Sequence, residues 1–171
     1  MYRKVMVGFD GGLCAGVALQ QGMQLAAAGA ELLLLTVVPY QALCSTKGLP
    51  PAGGGPEHAR DLLEQAWRHL ARYDVHASLQ LVDLSSRPAG DVATEIIAAA
   101  TAAEADLIIL GTRGRIGCRR LRPGSVAESV SRRALCPILL VGAPDPADFS
   151  CLNPVELYGM WPDSEHLHPD T

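Results

Sequence analysis

A strand, loop, helix and second strand between Ala105 and Gly142 constrain the fold of this chain more than any other stretch. The stretch opens with Leu107 to Leu110, a continuous apolar run typical of a parallel strand covered on both faces. Glycine ends this run, and the loop that follows carries five arginines: Arg113, Arg115, Arg119, Arg120 and Arg122. Because glycine lets backbone amides approach a ligand and arginine supplies positive charge, the loop favours a polyphosphate.

The helix after this loop is predicted to begin at Ser125. Residues 125–128 read Ser-Val-Ala-Glu, the pattern of a capping box. Unpaired amides and the positive end of the helix dipole at such a start attract anions without any catalytic side chain. The loop contains no Gly-Lys-Ser/Thr and is therefore not a Walker A loop. The sequence predicts a phosphate cradle made largely of backbone.

The rest of the chain alternates apolar strands with amphipathic helices. Strands are predicted at residues 5–9, 31–38, 76–84, 107–110 and 138–141, and helices at 13–28, 57–72, 91–104 and from 125 to just before Cys136-Pro137. This alternation predicts an α/β domain with a doubly wound, five-stranded parallel sheet. In such sheets the ligand lies at the carboxyl ends of the strands, where the strand order reverses.

The spacing Gly111-x2-Gly114-x9-Gly124-Ser125 resembles the nucleotide-binding signature of the universal stress protein family, Gly-x2-Gly-x9-Gly-Ser/Thr. The resemblance covers residues 1–142 and includes the Asp-Gly pair after the first strand. It implies a Rossmann-like fold, related to the adenine-nucleotide α-hydrolases, with strand order 3-2-1-4-5. It also implies ATP as the ligand, or AMP or ADP, with Mg²⁺ bridging the phosphates.

The resemblance also assigns roles by position. Asp10 and Val37 are expected to hold the adenine and ribose, and Arg113 is a candidate for phosphate contact. The remaining candidates are expected to surround the ribose and phosphates: Gly111, Gly114, Gly124, Ser125 and Val126. One position departs from the family, because Gly12 stands where Ser or Thr is common. Glycine caps a helix nearly as well, so we expect the first helix to remain stable.

The first functional hypothesis is an ATP-binding regulatory protein of the stress response with little or slow hydrolysis. The sequence shows no positioned base, metal-binding carboxylate pair and lysine of the kind that phosphoryl-transfer enzymes use. An adenylating or ATP-hydrolysing enzyme of a related fold is the alternative. Such enzymes carry Ser-Gly-Gly-x-Asp-Ser after the first strand, whereas residues 10–15 read Asp-Gly-Gly-Leu-Cys-Ala. A dimeric interaction protein that binds no nucleotide is a third possibility.

Composition excludes several other classes of protein. A net charge of −4 gives no electrostatic reason to expect a nucleic-acid partner. No apolar run reaches the roughly 18 residues of a membrane span, so we predict no membrane insertion and a cytoplasmic protein. Five cysteines without a C-x-x-C pair indicate reduced thiols. His166 and His168 lack further ligands nearby, so we predict no metal site formed by side chains.

Three segments lead to expectations about assembly and motion. The short apolar strand Ile138 to Val141 should lie at a sheet edge, which predicts a homodimer through that strand. Pro39 to Pro56 is a long loop that is either a flap over the ligand or a plain insertion. Residues 143–171 form a Pro-rich tail outside the domain, and its role is not predicted.

Overall fold

The computed structural model describes residues 1–40, 55–87, 89–112 and 125–142. In these ranges strands and helices alternate, as the apolar pattern predicts. The elements are β1 (Lys4–Gly8), α1 (Leu13–Ala27), β2 (Glu31–Val38), α2 (Pro56–Leu70), β3 (Ala77–Asp83), α3 (Val92–Ala102), β4 (Leu107–Gly111), α4 (Ser125–Arg133) and β5 (Ile138–Val141). The 39–56 loop, apart from its two ends, and the 143–171 tail lie outside the described residues.

The five strands form one parallel sheet in the order β3-β2-β1-β4-β5, which confirms the doubly wound α/β fold. β1 lies at the centre, with β2 on one side and β4 on the other. The strand order therefore reverses between β1 and β4, where open α/β sheets bind ligands. Gly8 of β1 pairs with both Leu35 and Leu110, so β1 and β4 end at nearly the same level, whereas β2 continues to Val38.

Two apolar clusters, one on each face of the sheet, form the core. The first joins α1 and α2 to the sheet through Leu19, Leu62, Leu70 and their neighbours. The second joins α3 and α4 to the opposite face through Ile96, Val130 and their neighbours. β1, β2 and β4 lie inside the sheet and are largely buried because helices cover both of their faces.

Helix α1 packs closely on the sheet because its inner face is lined with small residues. Cys14, Ala18 and Gly22 are buried there. An ideal Cβ on Gly22 would lie 2.6 Å from Val7 Cγ2, so no larger residue fits. The helix ends at Ala27, with the exposed Ala28 as its C-cap, and Gly29 follows with a φ of 101°, in the left-handed region that favours glycine.

The amino ends of β1 and β4 are tied together by Asp106. Its carboxylate accepts hydrogen bonds from Arg3 N at 2.9 Å and Lys4 N at 3.1 Å. Its own amide donates to the Lys4 carbonyl at 3.0 Å. The hydrogen bond from the Arg3 amide contributes most to lowering the pKa of Asp106. The two strands that flank the switch point are therefore fixed to each other at the end opposite the site.

Asp91 joins α3 to α4. Its carboxylate caps α3 by accepting from Ala93 N at 3.3 Å and Thr94 N at 3.1 Å. It also accepts from the Thr94 hydroxyl at 2.6 Å and from Arg133 Nη2 of α4 at 2.9 Å. The Thr94 hydroxyl, and then Arg133 and the cap amides, hold the pKa of Asp91 below its usual value. One carboxylate thus stabilises a helix start and a contact between helices.

Replacing Asp91 by alanine should lower the free energy of unfolding by about 1 kcal/mol, the usual cost of a lost N-cap. Because the folded state lowers the pKa, the carboxylate stabilises fully above its unfolded value near pH 4. This stabilisation is lost as the pH falls through the lower pKa of the folded state. Urea unfolding of parent and variant from neutral to acidic pH should show their difference shrinking. Asp91→Asn keeps a cap and should lose less, whereas a difference independent of pH would contradict this account.

Candidate functional site

A tight turn, Asp10-Gly11-Gly12, follows β1 at the switch point. Asp10 Oδ1 accepts a hydrogen bond from Gly12 N at 2.9 Å, and Gly11 adopts a φ of 80°. Gly12 is the N-cap of α1 and has no side chain to satisfy the helix amides. The Asp10 carboxylate is thereby held at the start of α1, and the residue remains exposed to solvent.

Helix α2 packs against the same turn. An ideal Cβ on Gly11 would lie 2.9 Å from Leu62 Cδ1 and 3.1 Å from Leu62 Cδ2. The left-handed backbone therefore favours glycine at position 11, and the contact places Leu62 against this turn. The turn lies between the end of β1 and the side of α2.

A buried threonine of β2 fixes the peptide that precedes the turn. The Thr36 hydroxyl donates to the Phe9 carbonyl at 2.8 Å, and the Phe9 amide donates to the Leu35 carbonyl at 2.8 Å. Thr36 is only 4% exposed and is the buried polar residue of the described core. Sequence analysis did not select it, although a single hydroxyl within the apolar run Glu31–Val38 was a usable signal. Thr36 holds β1 and β2 together directly below Asp10.

The end of β4 lies directly against the first turn of α1. An ideal Cβ on Gly111 would lie 2.7 Å from Cys14 Cβ, 2.9 Å from Cys14 C and 3.1 Å from Ala15 N. These neighbours are mostly backbone and cannot move aside as a flexible side chain can. Thr112 N then donates to the Val141 carbonyl at 2.8 Å, which extends the pairing with β5. Gly111 is therefore required for packing, a reason that the spacing of the motif does not reveal.

The structure brings three of the predicted site residues to one edge of the sheet. Asp10 and Val37 each follow the paired residues Gly8 and Leu35 by two positions, and Gly111 follows Leu110 by one. Asp10 is exposed, whereas Val37 is half-buried against the second core cluster.

Beyond Thr112, the structure describes the predicted phosphate cradle only from the start of α4. α4 begins at Ser125, as predicted, and Val126 packs partly buried against the second core cluster. Arg113, Gly114, Gly124 and the side chain of Ser125 lie outside the described residues. Their contact with phosphate, and the capping role of Ser125, remain predictions.

Other chemistry at the described residues is limited. No three His, Cys, Asp or Glu side chains in these ranges are grouped as metal ligands. Cys14 and Cys136 are free thiols, and burial raises the pKa of Cys136. None of the described helices is long and apolar enough to cross a membrane.

Relatives of known sequence match most of the chain. A universal stress protein of Methanocaldococcus jannaschii is 28% identical over 152 residues, which cover 84% of this chain and 84% of the relative. A universal stress protein of Bacillus subtilis is 29% identical over 153 residues, covering 82% of this chain and 99% of the relative.

Solved structures show the same fold. A crystal structure of a universal stress protein from Burkholderia pseudomallei has a TM-score of 0.60 and 31% identity, covering 82% of this chain and 96% of that chain. A universal stress protein in complex with cAMP has a TM-score of 0.58 and 24% identity, covering 84% and 98%. One from Archaeoglobus fulgidus in complex with dAMP has a TM-score of 0.53 and 18% identity, covering 82% and 97%. The model of the universal stress protein family matches residues 1–142, and the chain belongs to this family.

Proposed function

We propose that this protein binds an adenine nucleotide, with ATP as the main ligand, in the crevice between β1 and β4. The observation that carries the proposal is that Asp10 and Gly111 lie at the carboxyl ends of β1 and β4, between which the strand order reverses, and that Val37 lies at the level of Asp10 on the neighbouring β2. Two proteins of similar fold are complexes with cAMP and dAMP, which supports an adenine nucleotide as the ligand class.

The residues of the chain fit the two ends of such a ligand. The Asp10 carboxylate is exposed and accepts hydrogen bonds, so it suits a ribose hydroxyl, and the half-buried Val37 suits the flat face of adenine. The glycine loop from Gly111 to Gly124 and the start of α4 at Ser125 suit the phosphates. Mg²⁺ would bind through the phosphate oxygens and neutralise part of their charge. The described residues contain no cluster that would hold the ion by itself.

We propose a regulatory role in the cytoplasm with little or slow hydrolysis of ATP. Nucleotide binding would favour one of two states of the protein, or of a complex, by its different affinity for the two. An adenylating enzyme is less well supported because Asp10 and Ala15 stand in place of the two serines of its motif, and Cys14 in place of the aspartate. Assays of phosphate release and of adenylated products distinguish a regulatory ATP-binding protein from an adenylating enzyme.

Native mass spectrometry and calorimetry test the proposal. Freshly purified protein should carry AMP or ATP, and protein stripped of ligand should bind ATP with one site per chain. Binding of adenosine without phosphates should be weaker, because the amides of the cradle contribute to affinity for the anion. A stripped, folded protein that takes up neither ATP nor AMP would refute nucleotide binding and leave only the fold.

We also propose that two copies pair through β5. This strand lies at the sheet edge, and Leu139 on it is 39% exposed. Leu139→Lys should convert a dimer into a monomer, because a charged side chain on an edge opposes pairing. Leu79→Lys on the opposite edge strand β3 is the matched control, since Leu79 is 37% exposed. Light scattering during size exclusion measures the mass, and a parent that elutes as a monomer contradicts this proposal.

A further inference from the structure

A polar contact joins the end of α4 to the start of α3. Arg133, the last residue of α4, donates from Nη2 to Asp91 Oδ2 at 2.9 Å and to the Thr94 hydroxyl at 3.1 Å. Asp91 is the N-cap of α3, and its carboxylate is itself held by the amides of Ala93 and Thr94. The guanidinium therefore binds a pair of oxygens whose positions are already set by the first turn of α3.

The start of α3 lies at the carboxyl edge of the sheet, where the nucleotide is proposed to bind. Leu84 follows β3, and its amide donates to the carbonyl of Val38, the last residue of β2, at 2.9 Å. An ideal Cβ on Gly90 would lie 3.2 Å from Leu84 Cδ1, so the residue before Asp91 packs against this strand end. Arg133 is thus attached to a helix start at the same edge as the proposed site.

The apolar contacts of α4 leave room for this bond to fix its orientation. The helix has nine residues, of which Ala127 and Val130 are buried and Val126 is partly buried against the second core cluster. Apolar packing holds the helix on the sheet but has little directional preference. Hydrogen bonds depend strongly on distance and angle. The bond from Arg133 therefore restricts how a short helix tilts on its apolar face.

We propose that Arg133 is a positioning residue for the phosphate end of the bound nucleotide, an inference that rests on the proposed function. Through Asp91 it holds α4 in the orientation in which the amides at the start of the helix meet the phosphates. Without this bond a smaller fraction of molecules has α4 in place, and the apparent affinity falls with that fraction. Asp10 and Val37, assigned to the nucleoside, belong to other elements and should bind it as before.

The test compares Arg133→Met with Arg132→Met by calorimetry with ATP and with adenosine. Arg132 is the matched control because its loss removes the same charge one position away, while its ion pair with Glu128 lies within α4. We expect Arg133→Met to weaken ATP about threefold to fivefold, the effect of a lost exposed ion pair, with adenosine unchanged. Arg132→Met should change neither affinity by more than about twofold. Arg133→Lys retains the charge and a donor for Asp91, and it should recover part of the affinity.

Asp91→Asn separates positioning from long-range electrostatics. If charge alone mattered, removing a negative charge at the ligand edge would tighten the binding of ATP. Positioning predicts weaker binding, because an amide oxygen holds the guanidinium less strongly than a carboxylate does. The double variant with Arg133→Met and Asp91→Asn should bind ATP no more weakly than Arg133→Met, since both changes break the same bond.

Each outcome of these comparisons is decisive. Unchanged ATP affinity in Arg133→Met overturns the inference, as do an equal loss in Arg132→Met, an equal loss for adenosine, and tighter ATP binding in Asp91→Asn. Circular dichroism checks folding, and Arg133→Gln is used if Arg133→Met unfolds. If the parent binds neither ligand, the proposed function fails together with this inference, whereas a binding parent with an unaffected Arg133→Met defeats the inference alone.

Discussion

Gly111→Val is expected to destabilise the protein by about 3 kcal/mol or more, at the upper end of the range for overpacked cores. An ideal Cβ at this position would lie 2.7 Å from Cys14 Cβ and 2.9 Å from the Cys14 carbonyl carbon. Two of the three nearest atoms belong to the backbone of α1, so relief requires the helix or the strand to move. Urea unfolding monitored by circular dichroism measures the loss of stability, and nucleotide affinity should fall with it because both elements border the site.

Gly142→Val is the matched control for this substitution. Gly142 directly follows β5, the neighbour of β4, and an ideal Cβ there would meet only Thr112 Oγ1 at 3.8 Å, an ordinary contact. We expect its free energy of unfolding to stay within about 0.5 kcal/mol of the parent. If both valine variants unfold at the same urea concentration, the close contact between Gly111 and α1 is not what requires glycine.

Gly124→Val is expected to abolish ATP binding, with a loss of affinity of about 100-fold or more. A valine beside Ser125 would occupy space assigned to the phosphates and deny them at least two charge-assisted hydrogen bonds, each worth about 1.5–3 kcal/mol. Gly114→Val should act in the same way. Calorimetry measures the affinity, and circular dichroism should show an intact fold because the sequence predicts both glycines in the loop.

Adenosine separates this effect from a general loss of the site. It has no phosphates, so Gly124→Val should bind adenosine as the parent does. Gly142→Val, which keeps the loop intact, should bind ATP normally. Parental affinity for ATP in the Gly124 and Gly114 variants would show that the motif spacing does not mark a phosphate cradle in this chain.

The alternation of apolar strands with amphipathic helices predicted the α/β fold. The continuous apolar run Leu107 to Leu110 indicated a strand covered on both faces, and these residues are buried in β4. The short apolar run Ile138 to Val141 was expected at a sheet edge, and β5 is an edge strand. The strand order itself came from the family resemblance, since periodicity does not specify which strands are neighbours.

Contacts between distant residues are what the sequence did not reveal. Asp10, Val37 and Gly111 were selected from motif positions, and the register confirms that they share one edge. The hydrogen bond from Thr36 to Phe9 joins residues 27 positions apart, and no local pattern indicates such a bond. The same holds for the contact of Leu62 with Gly11, which places α2 against the turn after β1. These contacts depend on how a helix packs against a turn from elsewhere in the chain.

The carboxylate of Asp106 has a mechanical consequence for any ligand that enters between the two middle strands. Its hydrogen bonds from the Arg3 and Lys4 amides join β1 and β4 at the amino end of the sheet. At the carboxyl end, β1 leads into the Asp10-Gly11-Gly12 turn and β4 leads into the glycine loop. Because backbone pairing continues from Val5–Leu107 to Gly8–Leu110, the two strands form one continuous ladder, and a ligand beyond Gly8 meets strand ends whose spacing is already set.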